Sequence, residues 1–237
     1  MDFLIFFTFG TFVGSFFNVV IYRMPRDESI IKPRSHCPAC KASIPFYRNI
    51  PLVSFILQVG KCANCQGAIS FQYPAVELIN GLIWGWAFYT LPFPEAVIAS
   101  FLSSILIAIA WIDARIYMVP LDLIIAGVVV LLFAVIFGIL SYSQVLWGIA
   151  AGVLLPGFMM GLTWLVTRRQ GMGFGDLQLG LILGAWVGPI AMILTLFFAS
   201  FLGLVAWIVI SMVKGLDMDR PLPFRSEEHT SELQSRE

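Results

Sequence analysis

A chain of 237 residues that is 59% hydrophobic and only 12% charged, with a mean hydropathy of +0.89, lies far from the composition of a soluble globular domain and close to that of a polytopic membrane protein. Its 14 Lys and Arg balance its 14 Asp and Glu, so net charge says nothing about a partner such as nucleic acid. The distribution is informative instead: the basic residues fall in a few clusters between apolar runs, and such clusters orient a membrane chain.

The first run, Phe3 to Tyr22, has the length of one span. It lacks the small-residue cleavage site of a signal peptide and reads as a retained first span. Gly10 and Gly14 form a small-xxx-small pair suited to close helix packing. Asn18 is polar within this span, and is either a helix–helix hydrogen bond or part of a polar site near the membrane surface.

Residues 23–75 are polar and carry Arg23, Arg26, Lys32, Arg34, Lys41, Arg48 and Lys61 against Asp27 and Glu28, which places this loop in the cytoplasm. All four cysteines lie here, in two CxxC knuckles, Cys37 with Cys40 and Cys62 with Cys65. In a reducing compartment that spacing points to four thiolates on one structural zinc rather than to disulfides. Between the knuckles, Ile50 to Val59 is too short to span and contains Pro51, so it either rests on the membrane or packs under the zinc ribbon.

The second span is expected over Val76 to Leu91. Glu77 stands at its start, either as an acid facing the positive end of the helix dipole or as a functional group. After the Leu91–Pro94 turn a third span returns through Val97 to Ile112 and ends at Asp113, with Arg115 beside it. Val119 and Pro120 open a fourth span to Leu140, Pro120 being acceptable in a first helical turn. Val145 to Val166 forms a fifth, followed by Arg168 and Arg169, and Leu177 to Val187 a sixth with Gly180, Gly184 and Gly188 on a packing face. Ile190 to Val213 forms a seventh. This threading keeps every Lys and Arg of the membrane body on one side, and brings Asp113 and Asp176 to that same face.

Both acids stand where hydrocarbon gives way to headgroups. An ionisable group there is costly, which makes it a functional candidate. Asp176 ends the turn Gly171-Met172-Gly173-Phe174-Gly175-Asp176, whose glycines can adopt positive φ and admit a substrate strand closely. Asp122 competes with Asp113, but sits where a helix cap is expected. His36 and His229 are the only histidines and neither can easily serve a buried nucleophile, and no HExxH is present. What remains for hydrolysis is a carboxylate pair: one acid holds a proton and polarises the scissile carbonyl while the other deprotonates water.

Taken together, Gly14-Ser15-Phe16-Phe17-Asn18 through Arg23, the tetracysteine loop with Asn49-Ile50-Pro51, Tyr73-Pro74-Ala75-Val76-Glu77-Leu78, Asp113 with Pro120, and Gly173-Phe174-Gly175-Asp176 resemble the type IV prepilin peptidases. The resemblance reaches almost to Phe224. It implies a bifunctional enzyme of the bacterial inner membrane, multi-pass, with its active sites facing the cytoplasm. There it would cleave type IV prepilins or type II secretion pseudopilins through Asp113 and Asp176, with Gly173 and Gly175 in the catalytic loop, and then methylate the new amino terminus from S-adenosylmethionine. Asn18, Arg23 and Glu77 are candidates for the methyl donor, with an Arg23–Glu77 salt bridge and an Asn18 helix contact as the structural alternative. Membrane lipid is the other expected partner, and no nucleic acid is expected. Leu121 and Gln178 stand where that family usually has an acidic or amide residue and a lysine, which bears on efficiency or substrate preference rather than on the catalytic acids.

The expected organisation is therefore all-α and polytopic. It comprises a first span at 1–22, a zinc-binding loop at 23–75, and an aspartyl peptidase domain at 76–224, giving about seven transmembrane helices with an eighth expected beyond the chain. Residues 225–237 are wholly polar and read as a non-native tail. Two other readings stay open: a GxGD protease without methyltransferase activity, and a membrane assembly protein that docks a partner through its zinc ribbon.

Overall fold

The computed structural model describes residues 2–168 and 173–214. Among these the chain is helical, with two isolated antiparallel bridges and no strand. The 225–237 tail lies outside the described residues. Four helices are long and apolar enough to cross a membrane, Asp2–Arg26, Phe93–Ile116, Tyr142–Val166 and Pro189–Val209, and two shorter apolar helices cover Leu121–Ile136 and Phe174–Val187. The chain divides into two compact units, Met1–Ile112 and Asp113–Glu237.

The first unit contains α1 (Asp2–Arg23), the short α2 (Val53–Leu57), α3 (Gln72–Thr90) and most of α4 (Phe93–Ile116). Small residues bring α1 and α3 together. A Cβ added at Gly10 would lie 2.6 Å from the Trp84 Cβ, and one at Gly14 would lie 2.8 Å from the Glu77 Cα. Reciprocally, Gly81 and Gly85 of α3 leave room for Thr11 and Phe3 of α1. This is the packing expected of Gly10 and Gly14, now with its partner helix identified. Buried Trp84 donates its indole N–H to Ser104 Oγ of α4 at 3.0 Å, so the polar end of the ring is satisfied inside an apolar contact.

Two boundaries that bear on candidate site residues differ from the sequence expectation. Helix α3 begins at Gln72 rather than Val76, because Pro74 falls in its first turn, where a missing N–H costs nothing. Glu77 is consequently in the second turn and buried, not an acid at the helix start. Helix α4 runs on to Ile116, so Asp113 belongs to its last turn rather than following it.

The second unit holds α5 (Leu121–Ile136), α6 (Tyr142–Thr167), α7 (Phe174–Val187) and α8 (Pro189–Lys214). Pro120 precedes α5 with extended backbone instead of lying inside its first turn. Ser141 caps α6 by accepting the Gln144 N–H at 3.3 Å. Helices α6 and α7 touch backbone to backbone: a Cβ at Gly152 would sit 2.0 Å from the Gly180 carbonyl oxygen, and one at Gly148 2.0 Å from that of Gly184. Only glycine fits at such a crossing. The sequence singled out Gly180 and Gly184 but not their partners on α6.

Candidate functional site

Asp113 on α4 and Asp176 on α7 lie within the second unit, close enough for their charges to interact. Asp176 sits in the first turn of α7, and its Oδ2 accepts the N–H of Gly173 at 3.2 Å, so the carboxylate folds back over the helix start. The positive end of that helix stabilises a negative charge there. Asp113 is at the opposite kind of helix end, the last turn of α4, and its carbonyl accepts the Tyr117 N–H at 2.9 Å where the chain turns with Tyr117 at φ +54. Asp122 is exposed in the first turn of α5.

The two described glycines of this turn, Gly173 and Gly175, act differently from the sequence expectation. Gly173 has φ −79, which any residue adopts, and Gly171 and Met172 lie outside the described residues. Gly175 is helical, and a Cβ there would lie 2.8 Å from Cγ2 of Val119. Its smallness therefore admits the α4–α5 connection against the first turn of α7. Sequence reasoning used Val119 only to open the fourth span, since a valine before a proline carries no chemical signal.

In the first unit, Asn18 and Glu77 lie on the facing helices α1 and α3. The Asn18 amide donates to the Tyr73 carbonyl at 3.0 Å and accepts from Gln72 Nε2 at 3.4 Å. Glu77 Oε2 accepts the N–H of Leu52 at 2.8 Å, and Ser15 also bonds its carboxylate. Leu52 is held at φ +60, a region a branched residue seldom enters, and the Glu77 bond fixes it there. Arg23 is buried with its guanidinium directed at the carbonyls of Ser29 and Pro33, at 2.9 and 2.8 Å. No Arg23–Glu77 ion pair forms among the described residues: the arginine braces one loop and the glutamate another. The Leu52 contact is invisible in sequence, because it joins a turn to a helix 25 positions later.

The four cysteine sulfurs lie within 4.8 Å of one another, with Cys37 Sγ 3.9 Å from Cys65 Sγ. Tetrahedral zinc with bonds of about 2.3 Å needs sulfurs about 3.8 Å apart, so the cluster fits such an ion. The two knuckles repeat one backbone design. Cys37 N–H bonds the Ala42 carbonyl and Cys62 N–H that of Gly67, while the residue after each second cysteine, Lys41 or Gln66, turns through φ near +60. Isolated bridges His36–Ser43 and Lys61–Ala68 close the two loops. The Asn64 amide, with the Ala42 backbone, lowers the Cys40 thiol to about 6. Backbone N–H groups of Cys65 and Asn64 lower Cys62. The Gly67 N–H pulls Cys65 down, but hydrogen bonding to Cys40 and Cys62 outweighs it and pushes that thiol up to about 11. Four sulfurs converging from two matched knuckles make a candidate cation site.

Residues 8–91 match the bacterial peptidase A24 N-terminal domain, and residues 100–208 match the type IV leader peptidase family. The chain belongs to that family. The prepilin leader peptidase/N-methyltransferase of Neisseria gonorrhoeae is 36% identical over 241 residues, covering 87% of this chain and 81% of the relative. That of Pseudomonas aeruginosa is 32% identical over 240 residues, covering 91% and 83%. The Myxococcus xanthus enzyme is 36% identical over 217 residues, covering 88% of this chain but 63% of its own length. No solved structure matches. Within the leader peptidase match lie Asp113, Gly173, Gly175 and Asp176; the N-terminal match contains Asn18, Arg23, Glu77 and the four cysteines.

Proposed function

We propose that this chain cleaves the leader of type IV prepilins and related pseudopilins with Asp113 and Asp176, and methylates the amino terminus so exposed. The observation that carries this reading is that both carboxylates stand at helix ends within one compact unit, where their charges interact, in a chain of the leader peptidase family. The helix ends suggest a division of labour. Asp176, under the Gly173 N–H and at a helix start, is the anion that takes a proton from water. Asp113, at a helix end that disfavours negative charge, holds the proton and polarises the scissile carbonyl. Like charges that interact resist ionising together, which keeps the roles distinct.

The four thiolates hold one zinc ion, and because they fill a tetrahedral shell without an open position the metal is structural. S-adenosylmethionine supplies the methyl group. Its sulfonium calls for a carboxylate or aromatic neighbour and its carboxylate for an amide or basic one. We assign it to the Asn18–Glu77 end of α1 and α3, with Arg23 bracing the Ser29–Arg34 segment beside it. In this reading α1 and α3 to α8 make seven spans of a bacterial inner-membrane protein, with the knuckles and both acids on the cytoplasmic face; the basic loop supports that orientation.

Incubating the membrane-embedded protein with a pilin-like peptide and isotopically labelled S-adenosylmethionine, then weighing the products, reads both activities at once. A shortened peptide carrying the label is expected; an intact peptide removes the proposal, and a shortened unlabelled one removes its second half.

A further inference from the structure

We propose that the loop segment from Phe46 to Val59 is a docking surface for anionic lipid headgroups, laid on the same bilayer that the long helices cross. It rests on the reading that residues 23–75 face the cytoplasmic leaflet.

The segment is well ordered by its own hydrogen bonds yet presents apolar side chains outward. Ser54 is buried, its hydroxyl accepting the Ile50 N–H at 3.0 Å and donating to the Tyr47 carbonyl, while the Gln58 amide donates to the carbonyls of Arg48 and Ser54. Val53, Ile56 and Leu57 occupy one face of α2 by their i, i+3, i+4 spacing. Phe46, Ile56, Leu57 and Val59 are respectively 82%, 72%, 77% and 80% exposed. So many exposed apolar side chains on a segment too short to span call for an apolar partner.

Two observations identify that partner as lipid. The first is charge. No acidic residue occurs between Glu28 and Glu77, while Lys32, Arg34, Lys41, Arg48 and Lys61 do, all exposed. Aromatic and aliphatic side chains among exposed cations, without acids, are the composition of a segment lying in an anionic interface. The second is position. Glu77 Oε2 grips the Leu52 N–H at 2.8 Å, so the middle of the segment is pinned to the second turn of α3. Phe71, 75% exposed, directly precedes α3. A segment tied there stays at headgroup depth, where aromatic and basic side chains are both favoured.

The test uses the full chain with a photoreactive benzoylphenylalanine at Ile56, reconstituted in vesicles of phosphatidylcholine with a quarter phosphatidylglycerol, or of phosphatidylcholine alone. Adducts are read by mass. A second probe at Phe133, a half-exposed position on α5, reads insertion itself. We expect lipid adducts at Ile56 in the mixed vesicles, falling about fivefold for each cation removed by Arg48→Gln and Lys61→Gln and falling likewise in phosphatidylcholine alone. Adducts to protein, no adducts, or equal lipid labelling in both vesicles would overturn the proposal while Phe133 still labels lipid. Failure at Phe133 as well would remove the membrane reading, and this proposal with it. Hydrogen exchange on the unsubstituted chain gives an independent readout: the Val53–Leu57 amides should exchange more slowly in the mixed vesicles, and unchanged exchange would contradict docking.

Discussion

Val119 packs against Gly175 so closely that a single added carbon on the glycine would lie 2.8 Å from the valine Cγ2. That contact seats the α4–α5 connection, six residues after Asp113, on the first turn of α7, which carries Asp176 one residue after Gly175. The segments that carry the two proposed catalytic acids are thus held together in part by an apolar contact.

Gly175→Ala should therefore slow cleavage by about 100-fold, the scale of a misplacement near 1 Å in a catalytic pair, without removing either acid. Val119→Gly should restore most of the loss when combined with it, because it removes both the Cγ2 at 2.8 Å and the Cβ at 2.9 Å that the new methyl group would meet. Peptide cleavage rates for the two single variants and the double variant check this. A double variant as slow as Gly175→Ala alone would mean the glycine serves some purpose other than this contact.

The α6–α7 crossing makes a sharper stability prediction. Gly152→Ala places a methyl 2.0 Å from a backbone oxygen that cannot rotate away, so the helices must separate; overpacking of this kind costs about 1–3 kcal/mol or more. Gly161→Ala on the same helix meets nothing within 4 Å and should be neutral or slightly stabilising. Thermal unfolding in detergent should show a clear drop in midpoint for the first and none for the second.

These glycines also show what sequence can and cannot reveal. The apolar runs located the helices, since membrane length and hydropathy leave few alternatives, and the CxxC spacing located the thiol cluster because its geometry is local. Gly180 and Gly184 were legible as a packing stripe, but Gly148 and Gly152 opposite them were not, since which helix faces which is a tertiary fact. The expectation that the Gly171–Gly175 turn frees its backbone for substrate gave way, at Gly175, to contact with Val119. Glu77 was legible as an unusual acid, but not as the acceptor for a strained Leu52, whose conformation no local pattern announces.

Glu77→Gln separates charge from architecture at that position. The amide oxygen can still accept the Leu52 N–H, so the loop stays anchored while the negative charge near the proposed methyl donor is gone. Methylation should fall roughly tenfold or more, the usual worth of a hydrogen bond to a charged group, with cleavage nearly unchanged. Comparing the two rates on one peptide decides it: equal loss of both, or loss of neither, would make Glu77 purely a loop anchor.

Zinc should be present at about one ion per chain, as a single four-thiolate site requires. Cys37→Ser should lower that content and expose the remaining thiols to alkylation, since Cys37 is the buried member of the cluster. Full zinc occupancy in that variant, measured by elemental analysis, would place the metal elsewhere.

Cleavage of a pilin-like peptide by Asp113→Asn, Asp176→Asn and the combined variant, all in lipid vesicles, tests the account most directly. Each single variant should be inserted and folded yet inactive, and the combined variant should be no worse than either, because the acids act as one unit. Substantial cleavage by either single variant, or loss confined to Asp122→Asn, would contradict the assignment of the catalytic pair.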